Sequence, residues 1–512
     1  MHVILVAAEN DRLPNCKVGG VADVIRDVPY ALAQLGIKVS VVTPDYGQAA
    51  LTRNLVADIA VPFRQHLETA TLWSVEESNN VTQYVISHSL FSEHHGAIYC
   101  NDPHQPFATD ANRFAFFSAA VAELIEHELI ADIDVVHLHD WHAAVVAVLR
   151  QFSPRFKRLK ALKTVYTVHN LALQGIRPFN HDFSSLESWF PTLTYDGLSI
   201  CDPKYPHCFN PMRAAINLSD KVHVVSPNYA KEVMIPSHPE LGFFGGEGLE
   251  SDMQHASHEG RLAGILNGCV YDDESASGEN LTFADYLALA EQHVFQWMAK
   301  SSQVLSRFYI AHQRILAWRG EAFGGKLITS VGRLTDQKAL ILRQPTQAGV
   351  VLDDIAKIAK HRGARIVIVG SGDPSLEQLF TEVMARHSNV LFLNGYGKAL
   401  GEQLYPLGDL FLMPSSFEPC GISQMLAMRA GQPCIVHKVG GLSDTVKHNE
   451  TGYCFEGETL AEQGSQFIAI FELALADLVG DSDKYQQLRQ QALMQRFDWS
   501  DVAQKYCEQL YR

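Results

Sequence analysis

Short apolar, β-branched runs recur along the chain at residues 3–8, 39–44, 135–139, 164–168 and 221–225. They return at 327–331, 365–369, 390–393, 410–413 and 433–436. The runs are dominated by apolar and β-branched residues at successive positions. Strands read this way when helices cover both faces of a parallel sheet. Segments with helical spacing lie between many of the runs. Val21, Val24, Ile25, Val28, Leu32 and Leu35 share one helical face, and Gly36 follows as a stop signal. Residues 423–430 form another such segment, ended by Gly431. The strand pattern lapses between Asn267 and Lys326, where the polar stretch 272–280 reads as a surface loop. The pattern predicts an α/β fold of two doubly wound domains, 1–266 and 267–495, with a terminal helix over 496–512. A length of 512 residues also favours at least two cores over one. Ligands of such domains bind beyond the carboxyl ends of the strands. Most of the unusual polar residues follow a predicted strand.

Composition narrows the partners. Hydrophobic residues make up 47% and charged residues 19%, as expected of a folded domain protein. There are 57 acidic and 41 basic residues, a formal net charge of -16, which argues against a nucleic-acid backbone as partner. A small anion still fits if a few cations converge. The nine cysteines are scattered, with no C-x-x-C pair, and read as reduced thiols of a cytoplasmic protein. The start of the chain lacks a basic n-region and reads as a first strand, not a signal peptide. No run of about 18 apolar residues predicts a membrane span.

The candidate chemistry sits at strand ends. Arg333 and Lys338 follow the run 327–331 in Gly332-Arg333-Leu334-Thr335-Asp336-Gln337-Lys338. Lys17-Val18-Gly19-Gly20 opens the first helix, where glycine N–H groups and the helix dipole favour an anion, or a structural turn. Together these two loops suggest that a diphosphate is bound. His137-Leu138-His139-Asp140-Trp141-His142 ends a strand. Its histidines lack the spacing of a zinc site. A polar rim for sugar hydroxyls with Trp141 as platform, or an ordinary strand end with a core tryptophan, both remain open. His169-Asn170 is a binding pair or a structural cap. Gly370-Ser371-Gly372-Asp373 matches part of a dinucleotide fingerprint but lacks its third glycine. In Ser416-Phe417-Glu418-Pro419-Cys420-Gly421, the carboxylate of Glu418 either satisfies a helix entrance or holds a sugar. Gly440-Gly441-Leu442 offers another close backbone approach.

In this order the segments resemble the bacterial glycogen synthases and plant starch synthases. Lys17 to Val24 is similar to K-T-G-G-L-A-D-V, His139 to His142 to H-D-W-H, and Thr167 to Asn170 to T-V-H-N. Leu266-Asn267-Gly268 is similar to L-N-G, Arg333 to Lys338 to R-L-T-x-Q-K, Phe417 to Gly421 to F-E-P-C-G, and Gly440 to Leu442 to G-G-L. The resemblance implies the GT-B fold, two Rossmann-like domains facing each other across a deep cleft. It implies glucose transfer from a nucleotide diphosphate glucose, ADP-glucose favoured, to the non-reducing end of an α-1,4-glucan with retention. No cofactor, metal, nucleic acid or membrane is implied. Carried over by position, Arg333 and Lys338 bind the donor diphosphate, and Lys17 with the Gly19 and Gly20 backbone contacts phosphate and sugar. Glu418 and the Gly440, Gly441 and Leu442 loop hold the glucose. Asp140, His169 and Asn170 line the glucose and acceptor side, and Tyr396 contacts the nucleotide. Asn267, Cys420 and Gly421 complete the substrate-binding positions. Arg333, Lys338, Glu418, His169 and Asp140 form the catalytic group. The chain departs from the family at Cys269, at Ser416 (usually arginine), at Ala339 (usually glycine) and at Gly397 (often histidine or asparagine). Another retaining GT-B glycosyltransferase and a non-catalytic glucan-binding homologue are the alternatives.

Overall fold

The computed structural model describes residues 1–47, 52–94, 96–100, 107–271, 281–395, 397–480 and 483–512. The loop at 272–280 and Tyr396 lie outside the described residues. The chain forms two compact units. The first contains Met1–Ser237, Gly245–Gly268 and Asp498–Arg512; the second contains His238–Phe244 and Cys269–Phe497.

The first unit opens with His2–Val6 (β1), Lys38–Pro44 (β2), Asn54–Phe63 (β3), His66–Ser78 (β4), Val81–Ser87 (β5), Val135–His139 (β6) and Lys163–Val168 (β7). A small ribbon, Arg177–Pro178 (β8) with Cys208–Phe209 (β9), precedes Lys221–Val224 (β10) and Leu262–Gly264 (β11). Its nine-stranded sheet runs β11-β10-β7-β6-β1-β2-β5-β4-β3. The sheet is mixed, which corrects the expectation of purely parallel pairing: β3 with β4 and β4 with β5 are antiparallel. The reason is legible in burial. On β3, Ile59, Val61 and Phe63 are buried while Asp58, Ala60 and Pro62 are exposed. Such two-residue alternation marks a strand with one face in solvent, unlike the continuous runs of β1 and β6, which are buried throughout.

The helix Gly20–Gln34 follows β1, its face of Val24, Ile25, Val28 and Leu32 fully buried. The terminal helix Trp499–Tyr506 and the turn Cys507–Tyr511 belong to this first unit. Gly268 is needed here because a Cβ at this position would lie 2.6 Å from the Trp499 ring.

The second unit has Leu327–Val331 (β12), the hairpin Pro345–Thr346 (β13) and Gly349–Val350 (β14), then Arg365–Gly370 (β15), Val390–Asn394 (β16), Leu410–Met413 (β17), Cys434–His437 (β18) and Gly452–Phe455 (β19). Its six-stranded sheet, β16-β15-β12-β17-β18-β19, is parallel throughout. Helices Phe283–Ala299 and Ser306–Arg319 occupy the stretch where the strand pattern lapses, and their Tyr286, Val294 and Ile315 join the core of this sheet. Among the described residues no helix is long and apolar enough to cross a membrane.

Strand order reverses at one point in each sheet. In the first, β1 has β2 on one side and β6 on the other; in the second, β12 lies between β15 and β17. Loops leaving neighbouring strands in opposite directions open a crevice at such a point. The loops after β1, β6, β12 and β17 carry Lys17, Asp140, Arg333 with Lys338, and Glu418.

Candidate active site

In the second unit Lys338 and the Glu418 carboxylate meet, with Arg333 lining the same pocket. β12 delivers its chain into the loop of Arg333 and the short helix Asp336–Ala339, which holds Lys338. β17 delivers Ser415, Ser416 and Glu418. The Lys338 ammonium donates to Glu418 Oε2 in an ion pair. Ser415 Oγ donates to the same oxygen at 3.2 Å. Ser416, where the resembling family usually has arginine, clamps the two loops: its N–H donates to Gln337 O at 2.8 Å and its hydroxyl approaches Asp336 O and Gln337 O at 3.2 Å. Arg333 is exposed and makes no hydrogen bond or ion pair with the described residues. Arg333, Lys338 and Ser415 line one small pocket between β12 and β17.

The glycines around this cluster have steric causes. A Cβ at Gly370 would overlap Gly332 O, and one at Gly372 would overlap Leu334 O. The Gly370-Ser371-Gly372 segment therefore serves close packing under the Arg333 loop, fixed by Leu334 N donating to Ser371 O at 3.0 Å. Gly441 N donates to Glu418 O at 3.0 Å, and a Cβ there would overlap Cys420 O. Gly421 and Gly440 both have positive φ, 77° and 42°. Cys420 is buried, and its carbonyl accepts from Gln424 Nε2 at 3.1 Å. Leu442 is fully buried. A side chain at Gly397 would press on the His293 ring at 3.1 Å, and Ala339 is buried at the cluster's base.

In the first unit Lys17 is half-buried between two carboxylates, 2.6 Å from Asp23 and 3.3 Å from Asp11. Burial alone would lower its pKa, but Asp23 and Asp11 outweigh it and hold the ammonium charged. The sequence reading missed Glu9. Its Oε2 accepts from Val18 N and Gly19 N, each at 2.6 Å, and Oε1 accepts from Tyr99 OH at 2.5 Å. An internal carboxylate thus holds the glycine loop, while Gly20 is exposed at the helix entrance. Glu9 lies just beyond β1, so the strand-end rule that selected Lys17 contained the signal for it.

Asp140 and His169 converge at the ends of β6 and β7. Asp140 Oδ1 accepts from His169 N at 2.8 Å. Asp140 has φ 55°, a left-handed conformation that aspartate tolerates better than most residues. Burial pushes its carboxyl up to about 7. Asn170 Oδ1 accepts from Ala172 N at 2.9 Å and shapes the following turn. Asn267 is buried, with its Oδ1 unpaired among the described residues.

Of the two readings of His137 to His142, the ordinary strand end with a core tryptophan holds, and the sugar-binding rim is corrected. Trp141 is no open sugar platform: it is buried, meets Phe114 edge-on at 5.4 Å, and abuts Gly175, where a Cβ would overlap its ring. His137 and His139 form no rim, being buried within the sheet's own hydrogen-bond network. Burial lowers His142 and His169 to about 3 and His223 to about 4, so the ring cluster is neutral.

Two Rossmann-like units, each carrying charged groups at its topological switch point, form the GT-B class of fold. Residues 2–255 match the starch synthase catalytic domain model, and residues 325–470 match the model of glycosyl transferases group 1. The chain is 30% identical over 524 residues to a glycogen synthase of Streptococcus equi subsp. zooepidemicus, covering 100% of this chain and 99% of the relative. It is 29% identical over 513 residues to a glycogen synthase of Exiguobacterium sibiricum, covering 99% and 98%. Among solved structures it resembles the catalytic domain of starch synthase IV from Arabidopsis thaliana, bound to ADP and acarbose, with TM-score 0.76, 27% identity and coverage of 100% and 98%. A sucrose-phosphate synthase from Thermosynechococcus elongatus, 16% identical with TM-score 0.53, shares the fold. The chain belongs to the glycogen and starch synthase family.

Proposed function

We propose that this protein transfers glucose from ADP-glucose to the non-reducing end of an α-1,4-glucan, with retention at the anomeric carbon. The observation that carries this reading is the cluster of Lys338, Glu418 and Arg333 at the switch point of the second sheet. Breaking the anomeric C–O bond leaves additional negative charge on the departing diphosphate. Cations fixed beside the leaving oxygen stabilise that charge more than the ground state. Arg333 carries no partner to displace among the described residues, and a diphosphate competes with Glu418 for Lys338. In the first unit, Asp140, His169 and Asn170 are assigned to the glucose and acceptor side, and Lys17 with the Gly19 and Gly20 backbone to phosphate and sugar, where an arriving phosphate competes with Asp11 and Asp23 for Lys17 and with Glu9 for the Gly19 N–H.

Glu418 is assigned to ring orientation and charge stabilisation. Its carboxylate is already engaged by Lys338 and Ser415, which makes it a poor free nucleophile. Retention then follows from attack on the face the diphosphate leaves, with a phosphate oxygen taking the acceptor hydroxyl proton. The family membership and the ADP bound to the Arabidopsis relative support ADP-glucose as donor.

The test is a donor screen: nucleotide release from ADP-glucose and UDP-glucose, with and without glycogen. Glycogen-dependent release of ADP is expected, and Lys338→Ala should lower turnover by about 10²–10³ at saturating donor. Donor consumption independent of glycogen, or binding without consumption, would overturn the proposal.

A further inference from the structure

We propose that His139 is a positioning residue that fixes His169 as the Nδ1–H tautomer, so that His169 offers a ligand a hydrogen-bond donor. The His139 ring stacks on His137, at 4.4 Å and 23°, and meets His169 edge to edge, with centroids 5.3 Å apart and planes at 27°. His139 Nδ1 is 3.0 Å from His169 Nε2. One of these nitrogens carries the shared proton, and the other accepts it.

The far side of His139 decides which. Its Nε2 is sealed from solvent and has no partner among the described residues. If His169 were the donor, neutral His139 would carry its own proton on Nε2, as a buried N–H with nowhere to go. If His139 donates from Nδ1, only a lone pair is left unmet. Orphaned buried N–H groups are the rarer and costlier case. His139 therefore donates, and His169 Nε2 accepts. Burial drives both rings well below the ordinary histidine range, which excludes an imidazolium that would donate from both nitrogens. Neutral His169 then carries its proton on Nδ1. That nitrogen has no partner in the described residues and is not among the sealed atoms.

The neighbouring rings obey the same rule without contradiction. His223 Nε2 meets Ile265 O at 3.1 Å and must donate to it. His223 Nδ1 then accepts from Thr167 at 2.9 Å. Thr167 Oγ1 in turn accepts from His137 Nε2 at 2.6 Å, and His137 Nδ1 accepts from Tyr511 OH at 2.8 Å. This chain runs one way from the terminal tyrosine to a backbone carbonyl. It leaves His139 no proton to take from His137.

A donor at His169 selects an oxygen acceptor, such as a sugar hydroxyl or a phosphate oxygen. That last step rests on the assignment of His169 to the substrate side; the tautomer does not. The experiment is a long-range ¹H–¹⁵N correlation spectrum of imidazole-labelled protein, with His169 identified by its loss in His169→Asn. We expect a pyrrole-type Nδ1 and a pyridine-type Nε2. His139→Phe keeps the stack and removes the donor, so His169 should become a mixture of tautomers. His139→Asn, whose amide N–H replaces Nδ1–H, should restore the single form. Turnover with ADP-glucose and glycogen should fall roughly twofold to tenfold in His139→Phe and recover in His139→Asn. An Nε2–H signal at His169 in the unaltered protein overturns the inference, as does a His139→Phe spectrum with the wild-type tautomer. If the spectrum is as expected but no glucose is transferred, the functional reading fails and the tautomer assignment stands.

Discussion

Replacing Lys338 by methionine removes the ammonium and keeps most of the side-chain volume. Among the described residues, the Glu418 side chain then retains the hydroxyl of Ser415 at 3.2 Å as its one partner. Removing one partner of a buried pair costs about 3–5 kcal/mol, while a surface pair contributes at most about 1 kcal/mol. The Lys338 side chain is 26% exposed and that of Glu418 is 8% exposed, so this pair falls between those limits. An expected loss is about 2–3 kcal/mol. In a unit of this size that lowers the unfolding midpoint by roughly 5–10 °C. The double variant Lys338→Met with Glu418→Gln leaves no orphaned charge and should recover to within about 1 kcal/mol of the parent. The assay is a double-mutant cycle by thermal and urea unfolding, with glucosyl transfer measured in parallel. Stability should recover in the double variant while transfer stays low, because the cation is still missing. A single variant as stable as the parent, or a double variant less stable than the sum of its parts, would refute the reasoning.

Acidification should destabilise the first unit. Burial holds His137, His139, His142, His169 and His223 below 6.5 in the folded state. Their stabilisation is complete above 6.5 and is lost as pH falls below it, because the unfolded chain binds protons first. Asp140, raised from 3.8 to about 7, acts oppositely: its contribution is full at low pH and is lost as pH rises through 7. Five histidines outweigh one aspartate, and each net proton changes stability by about 1.4 kcal/mol per pH unit. Urea midpoints measured from pH 8 down to pH 5 should fall by the amounts those titrations set, and a rise would contradict the burial argument. Gly441→Ala should cost roughly 1–3 kcal/mol, since its methyl overlaps Cys420 O; calorimetry showing an unchanged midpoint would mean that the loop relaxes freely.

Much of the fold was written in local pattern. Apolar-rich runs marked the strands of both switch points because a strand covered on both faces favours apolar residues at successive positions. Arg333, Lys338, Asp140 and Glu418 were legible because each lies in the segment that follows such a run. The antiparallel extension β3 to β5 was not, since its alternation is weak and interrupted by bulges in pairing. The terminal segment shows the same divide. Its helical character is local, but its membership of the first unit rests on Trp499 against Gly268 and on Tyr511 against His137.

By itself the sequence determined which residue types stand at the strand ends, and hence that charge and hydroxyl-binding groups cluster there. Only the tertiary structure decided how those groups are paired. Lys338 lies on Glu418, Lys17 lies between Asp11 and Asp23, Glu9 holds the glycine loop, and His139 holds His169. Each of these contacts except the Lys17 and Glu9 pairs joins segments that only strand order brings together. Hydrogen bonds and ion pairs act over a few ångströms, so their partners are set by packing.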